Sequence, residues 1–363
     1  MLACNNSNRE TEPLVQSKVS IIDIDTSSRF VKFSDLFSMD SIILLRNGRS
    51  PIIKIEKLVS SDKYFYLFDK KYSKTIYIYS LKGDYVNEIK GLKITDFCID
   101  DKNLYVYTAS TKSIRVYSEN AMQLKTEISI SGAFHTLEVF NRNLIFFRDG
   151  GQLENSKKDL YGFNRICQFD LNGKYIKGWF NYPLAKVNSG QISSYKVKDT
   201  LFISRLYSDT IFSLSKKFEL SACYKVLFNG IEFSRNILNT TDQNQFSQQI
   251  FLANYIAGPV YKENSFMSFI YRQGDYFRFF LKNQQEQRSI SGIINDRNDL
   301  PVILPFSEIK NNKAVSILPY ENLLELQNMQ QNSGLLKQDG KLHKLIEDAK
   351  ETQNPSLLIT RFK

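Results

Sequence analysis

Three arginines fall at matching places in the chain. Arg148 follows Leu144-Ile145-Phe146-Phe147, Arg205 follows Leu201-Phe202-Ile203-Ser204, and Arg272 follows Ser268-Phe269-Ile270-Tyr271. Tyr207 and Tyr271 accompany them. A guanidinium is a planar fork of N–H donors that grips a carboxylate, a sulfate or an acidic sugar through two parallel bonds. Three such groups around one rim would make an anion site. The alternative is that each arginine pairs with an acid close in sequence: Asp149, Asp209 or Asp275.

Other chemistry is thinly provided. The two histidines, His135 and His343, are far apart in sequence, which argues against a histidine metal centre. Cys98, Cys167 and Cys223 sit inside apolar runs and read as buried thiols. No C-x-x-C pair occurs, so zinc and redox sites have no sequence support. Phosphate loops, H-E-x-x-H, G-x-S-x-G and calcium loops are absent. His135, in Ala133-Phe134-His135-Thr136, reads as a capping or core residue, and Glu347-Asp348 as part of a solvated helix face. No catalytic residue, metal or cofactor is therefore expected. The net charge of +10 favours anionic partners. The basic residues are scattered, with no run of five, so nucleic acid is not expected among them.

The N-terminus carries a separate signal. Met1-Leu2-Ala3-Cys4 precedes the polar run Asn5-Asn6-Ser7-Asn8-Arg9-Glu10-Thr11-Glu12-Pro13. Small residues before a cysteine, then a polar leash, resemble a bacterial lipoprotein start with Cys4 as the lipidated residue. The charged and apolar regions of a signal peptide do not precede it. The expectation is a truncated precursor with a tether over residues 1–17 and a place in the periplasm or outer membrane. The membrane would be reached only through that anchor. A true start at Met1 would instead leave a cytoplasmic scaffold.

What would position the arginines is a repeat. Asp62-Lys63-Tyr64-Phe65-Tyr66-Leu67 returns about 40 residues on as Asp101-Lys102-Asn103-Leu104-Tyr105-Val106-Tyr107. Further copies are Asn141-Arg142-Asn143-Leu144-Ile145-Phe146-Phe147, Lys198–Ser204, Glu263–Phe269 and a faded one at Asn311–Ile317. Each is a polar turn entering a short apolar strand. A second strand follows the first five, as in Thr75-Ile76-Tyr77-Ile78-Tyr79 and Ser113-Ile114-Arg115-Val116-Tyr117. A third follows through Lys82-Gly83 or Asn172-Gly173, since glycine accepts the positive φ of a tight hairpin. Another apolar strand precedes each unit, such as Ile94–Ile99 and Thr136–Phe140.

Four strands per unit of about 40 residues, about six times, predict an all-β chain: a six-bladed β-propeller of four-stranded antiparallel blades over residues 18–363. An extended array of β-sandwiches is the competing reading. The three arginines then end the second strand of blades three, four and five, on one loop face. Two units are stretched, at Arg148–Phe163 and between Phe228 and Pro259, where Phe246, Ile250, Phe251 and Tyr255 would line a short helix. Helices are expected over Tyr320–Gln330 and Lys341–Lys350, the second from its stripe of Leu342, Leu345, Ile346 and Ala349. The strands Val19–Ile24 and Ser356–Phe362 are expected to help close the ring, with the helices on its rim.

These features together resemble the six-bladed β-propeller proteins abundant in Bacteroidetes, relatives of the NHL-repeat propellers and often predicted lipoproteins. The likeness is carried by Ile21-Ile22-Asp23-Ile24, the Ile42-Ile43-Leu44-Leu45 strand, the recurring Leu-x-Gly-x-Tyr-Val/Ile blade ending and the tail Asn354-Pro355-Ser356-Leu357-Leu358-Ile359. A Gly-x-Gly-Pro-Gly type of loop common in that family is replaced here by Lys90-Gly91-Leu92-Lys93-Ile94. The resemblance implies an extracytoplasmic binding or sensing role. The functional expectation is a non-catalytic propeller that binds a partner protein or an anionic or glycan ligand through Arg148, Arg205, Tyr207, Tyr271 and Arg272. The alternative is a propeller lyase or hydrolase acting on a polysaccharide or lactone.

Overall fold

The computed structural model describes residues 19–27, 30–31, 36–46, 52–148, 164–181, 191–240, 242–263, 265–285, 288–294, 306–324, 347–350 and 353–362. Cys4 and the tether, Asp149 and the rest of the first insertion, His343 and most of the two expected C-terminal helices lie outside these residues.

Three N-terminal strands come first: β1 (Ser20–Ile24), β2 (Phe30–Val31) and β3 (Phe37–Leu44). Five four-stranded units follow in chain order. Blade 1 is β4 (Lys57–Ser60), β5 (Tyr64–Asp69), β6 (Thr75–Ser80) and β7 (Tyr85–Ile89). Blade 2 is β8 (Asp96–Ile99), β9 (Asn103–Thr108), β10 (Ser113–Ser118) and β11 (Leu124–Ser129). Blade 3 is β12 (Thr136–Phe140), β13 (Asn143–Phe147), β14 (Asn164–Phe169) and β15 (Tyr175–Asn181). Blade 4 is β16 (Ile192–Val197), β17 (Thr200–Arg205), β18 (Thr210–Ser215) and β19 (Leu220–Phe228). Blade 5 is β20 (Asn254–Lys262), β21 (Phe266–Gln273), β22 (Tyr276–Asn283) and β23 (Arg288–Ile294). Blade 6 combines β24 (Glu308–Lys310), β25 (Lys313–Leu318) and β26 (Ser356–Phe362) with β3. The chain is a six-bladed β-propeller, and all six aligned repeats, the faded one included, are second strands of blades.

The blades pack through six hydrophobic cores, one for each neighbouring pair. Between blades 1 and 2, Tyr66, Phe68, Ile76 and Ile78 meet Phe97, Leu104 and Val106. Alternating side chains put each strand's two apolar sets into two different cores. The abundant tyrosines and phenylalanines are therefore inter-blade packing. Tyr66, Tyr77 and Tyr79 are fully buried.

The N-terminal segment belts three successive blades. β3 pairs antiparallel with the C-terminal β26, from Phe37 against Phe362 to Leu44 against Ser356, and so closes the ring. The Val19–Ile24 stretch, expected at the closure, goes elsewhere. β1 adds to the outer edge of blade 4, parallel to β19, and β2 adds likewise to β23 of blade 5. The physical reason is burial: Ile22 and Ile24 fill the core between blades 4 and 5 and cover an edge that would otherwise be open.

Two glycines do more than turn. Gly83 and Gly173 have φ of +85° and +83°, as their hairpins require. A Cβ on Gly83 would also lie 1.9 Å from the Leu44 carbonyl oxygen of blade 6, and one on Gly173 2.2 Å from that of Ser129 in blade 2. These hairpins press on the outer strand of the preceding blade, so glycine sets the blade spacing as well as the turn.

The second stretched segment forms a helix, α1 (Gln243–Leu252). Asp242 caps it, its side chain accepting from the Gln245 N–H at 2.7 Å. Phe246 and Ile250 point inward, whereas Phe251 is exposed and Tyr255 belongs to β20. The expected four-residue stripe is thus a two-residue one. Among the described residues no helix is long and apolar enough to cross a membrane.

Candidate functional site

The turns between second and third strands share one face with the connections between blades. Among the described residues, blades 4 and 5 build the most elaborate part of that face. Phe246 and Ile250 of α1, Phe233 and Tyr255 form a small core of their own, with Leu206 and Tyr207 packed against it. Tyr207 meets Phe246 and Tyr255 edge-on, with ring centroids 5.7 and 4.9 Å apart. The Tyr255 hydroxyl lies 3.4 Å from Arg272 Nη1, and Arg272 Nε donates to the Gly274 carbonyl at 2.8 Å. Tyr255 thus links two of the sequence-selected residues, Tyr207 and Arg272.

Each selected arginine lies over an aromatic ring. Arg148 is over Phe134 at 4.9 Å, Arg205 over Phe180 at 5.6 Å and Arg272 over Phe277 at 5.8 Å. Such contacts hold a guanidinium by its face and leave its N–H edge to other partners. Arg205 and Arg272 are half-buried, while Arg148 is only 2% exposed. Tyr271 is fully buried and packs on Phe228 at 5.4 Å. Of the nearby acids, Asp209 accepts from the Thr210 hydroxyl (2.8 Å) and the Phe233 N–H (3.2 Å), with Lys225 at 3.9 Å. Asp275 is exposed.

Sequence reasoning passed over two aromatic groups here. Tyr276 and Phe277 open β22 and are 60% and 63% exposed. They stand directly across the turn from Arg272 and Gln273, with which they are in register. Leu252, at the end of α1, and Phe251 are also exposed at this end of the blade. The signal was available: residues flanking a two-residue turn at a strand's tip lie beyond the core, and Phe279 and Phe280 already supply the buried pair.

A second polar assembly occupies the hub, where the innermost strands of the six blades converge. Lys57 Nζ donates to Asp96 Oδ1 and Oδ2 at 2.9 and 3.1 Å and to the Phe97 carbonyl at 2.6 Å. Asp96 Oδ2 also accepts from the Leu137 N–H at 2.8 Å. Ser194 Oγ donates to Glu138 Oε1 at 3.5 Å, and Lys196 Nζ to the Val139 carbonyl at 3.4 Å. The Tyr195 hydroxyl, with one proton to give, lies 3.0 Å from Glu263 Oε1 and beside the Ile309 carbonyl. Tyr261 donates to the Phe306 carbonyl at 2.9 Å. Ser60 donates to the Glu308 carboxylate. These contacts run in order through blades 1 to 6 and back to blade 1. Burial works to lower the Lys57 ammonium, but Asp96 and Glu138 outweigh it and hold it above its ordinary value. Burial raises Glu138, with Lys57 and Lys196 offsetting part of the effect. Burial pushes Glu308 up to about 7.

Comparison with known proteins agrees with this architecture. A family model described as a domain of unknown function, DUF4934, matches residues 19–361. The chain belongs to the DUF4934 family. Among solved structures it is similar to a Bacteroides fragilis protein provisionally described as exported. That likeness has a TM-score of 0.75 at 17% identity and covers 95% of this chain and 100% of the other. It is also similar to a DUF4221-family member from Bacteroides vulgatus, with a TM-score of 0.52 at 7% identity, covering 90% and 97% of the two chains. At these identities the likenesses show the fold. No curated protein matches the chain.

Proposed function

We propose that this DUF4934 propeller is a non-catalytic binding protein of the cell envelope that holds an acidic glycan on the face built by blades 4 and 5. The observation that carries this reading is the pairing of Arg272 with two exposed aromatic rings. The guanidinium is steadied by Phe277, Tyr255 and the Gly274 carbonyl. Tyr276 and Phe277 beside it offer apolar faces to water. A sugar ring stacks on such faces, and a sulfate or uronate bonds to a steadied guanidinium. Arg205, over Phe180 and half-buried, supplies a second cation on the same face, whereas Arg148, 2% exposed over Phe134, is set back in the core. The net charge of +10 supports an anionic ligand. The provisional description of the Bacteroides fragilis relative as exported, together with the lipoprotein-like Cys4, supports the envelope.

A glycan array containing uronate-bearing and sulfated saccharides tests this reading. The wild-type chain is expected to retain acidic members, and Arg272→Ala and Phe277→Ala each to weaken retention about tenfold or more, as loss of one buried-edge contact of 1–3 kcal/mol would. Retention unchanged after replacement of Arg205 and Arg272 together would overturn it.

A further inference from the structure

We propose that Asn229 is a self-modifying site, open to deamidation through a cyclic imide, and that the N-terminal belt restrains the reaction until β1 leaves blade 4. Three Asn-Gly pairs occur in the chain: Asn47-Gly48, Asn172-Gly173 and Asn229-Gly230. The first lies outside the described residues. The pair suits this chemistry because glycine has no side chain to shield its own amide nitrogen. That nitrogen attacks Cγ of the preceding Asn. The bond from Cγ to Nδ2 breaks, ammonia leaves with the proton given up by the glycine nitrogen, and a five-membered imide closes. Water then opens the ring at either carbonyl, giving aspartate or isoaspartate. Water is the only co-reactant, and nothing is oxidised or reduced.

In the fold, the belt occupies every reacting group of Asn229-Gly230. The two residues turn the chain between Phe228 and Ile231, which exchange backbone bonds of 2.9 and 3.1 Å. Their φ angles of +53° and +74° are those of a two-residue hairpin turn. The Asn229 carbonyl, where attack would fall, accepts from the Thr26 N–H at 3.0 Å. The departing Nδ2 donates to Thr26 Oγ1 at 2.6 Å. The attacking Gly230 N–H is spent on Asp23 Oδ1 at 3.0 Å. The Asn229 N–H donates to the Ile24 carbonyl, also at 3.0 Å. Electrophile, leaving group and nucleophile are thus held by residues 203 to 207 positions earlier in the chain. Both turn residues are exposed, so water has access once the belt departs. Asn172-Gly173 provides the comparison. Gly173 donates to the Asp170 carbonyl at 3.1 Å within its own turn. The Asn172 side chain is exposed and has no hydrogen bond among the described residues. Its reactivity owes nothing to the belt. Reaction at Asn229 would leave a mark on the belt's seat. Either product adds a negative charge beside Asp23, and isoaspartate also lengthens the main chain in the turn. An opening of the belt is then recorded permanently.

The test is mass spectrometry of the full chain during incubation in mildly alkaline buffer, following amide-to-acid conversion in the peptides that carry Asn172 and Asn229. Hydroxylamine, which cuts at the imide, gives a second readout. Asn229 is expected to convert at least about tenfold more slowly in the folded chain than in urea, because reaction waits on local opening. Asp23→Ala should raise the folded-state rate at Asn229 about fivefold, the factor for one lost hydrogen bond, and leave Asn172 unchanged. Ile24→Ala, which loosens β1 without removing a reacting group, should act in the same direction and is read alone if Asp23→Ala fails to fold by circular dichroism. Equal rates at Asn229 in the folded and unfolded chain would overturn the proposal. So would a rate at Asn229 that neither variant raises, or a rise matched at Asn172 in both.

Discussion

Replacing Lys57 by methionine should destabilise this protein far more than breaking an ion pair on its surface. Lys57 and Asp96 join the innermost strands of blades 1 and 2, and their side chains are 24% and 8% exposed. Removing one partner of a buried pair strands the other charge, at a cost of about 3–5 kcal/mol. Two features reduce that figure here. Lys57 keeps some contact with solvent, and Asp96 retains the Leu137 N–H at 2.8 Å. A loss of about 2–3 kcal/mol is the working value. Arg46–Asp84, with side chains 69% and 49% exposed, is the control, and Arg46→Ala should cost roughly 0.5 kcal/mol or less. Urea unfolding followed through Trp179, the chain's one tryptophan, buried in blade 3, reads both values. Because the cost lies in the stranded carboxylate, Lys57→Met combined with Asp96→Asn should recover at least about 1 kcal/mol of it. The polar circuit is not a clasp if Lys57→Met falls within 0.5 kcal/mol of the Arg46 control, or if the double variant recovers nothing, on the scale expected for coupled neighbours.

Three further outcomes are expected. Gly83→Ala should cost well over the roughly 1 kcal/mol of a left-handed alanine, because its Cβ would overlap the Leu44 carbonyl; Gly91→Ala, with φ of +77° and open space around it, should cost only that. Thermal melts of the two side by side separate clash from backbone strain. The wild type should lose stability as pH rises from about 4.5 through about 7. Folded Glu308 holds its proton over a range where the unfolded chain has released it. The span is of the order of 3 kcal/mol, and Glu308→Gln should flatten that part of the curve; an unchanged slope would refute the assignment. Asp242→Ala removes the α1 cap and should cost about 1 kcal/mol, with faster amide exchange in Gln243–Leu252 than in the blades.

The blades were legible because each second strand announces itself twice, by a polar turn and by an unbroken apolar run. Asp62–Leu67 and Asn311–Ile317 are recognisable on those terms even where the sequences diverge. The hub was not legible. Asp96, Glu138 and Lys196 are single charges in strands of four to six residues, and Glu308 shares its three-residue strand with Lys310; charges so placed look like ordinary alternation. Only the ring geometry brings them to one axis. The belt was half legible: Ile21-Ile22-Asp23-Ile24 reads as a strand, but which edge it joins depends on where the ring leaves one open. Tyr271 and Arg272 cannot both face the rim. Neighbours on a strand face opposite ways, so with Arg272 over Phe277, Tyr271 belongs to the core against Phe228.

Hydroxyl-radical footprinting with and without an array-selected acidic glycan shows directly which face of the propeller holds the ligand. Ligand should protect Tyr276, Phe277 and Phe251, while Leu81 and Leu171, exposed in turns on the opposite face, are oxidised as before. Protection at Leu81 and Leu171 with none at Tyr276 and Phe277 would contradict it.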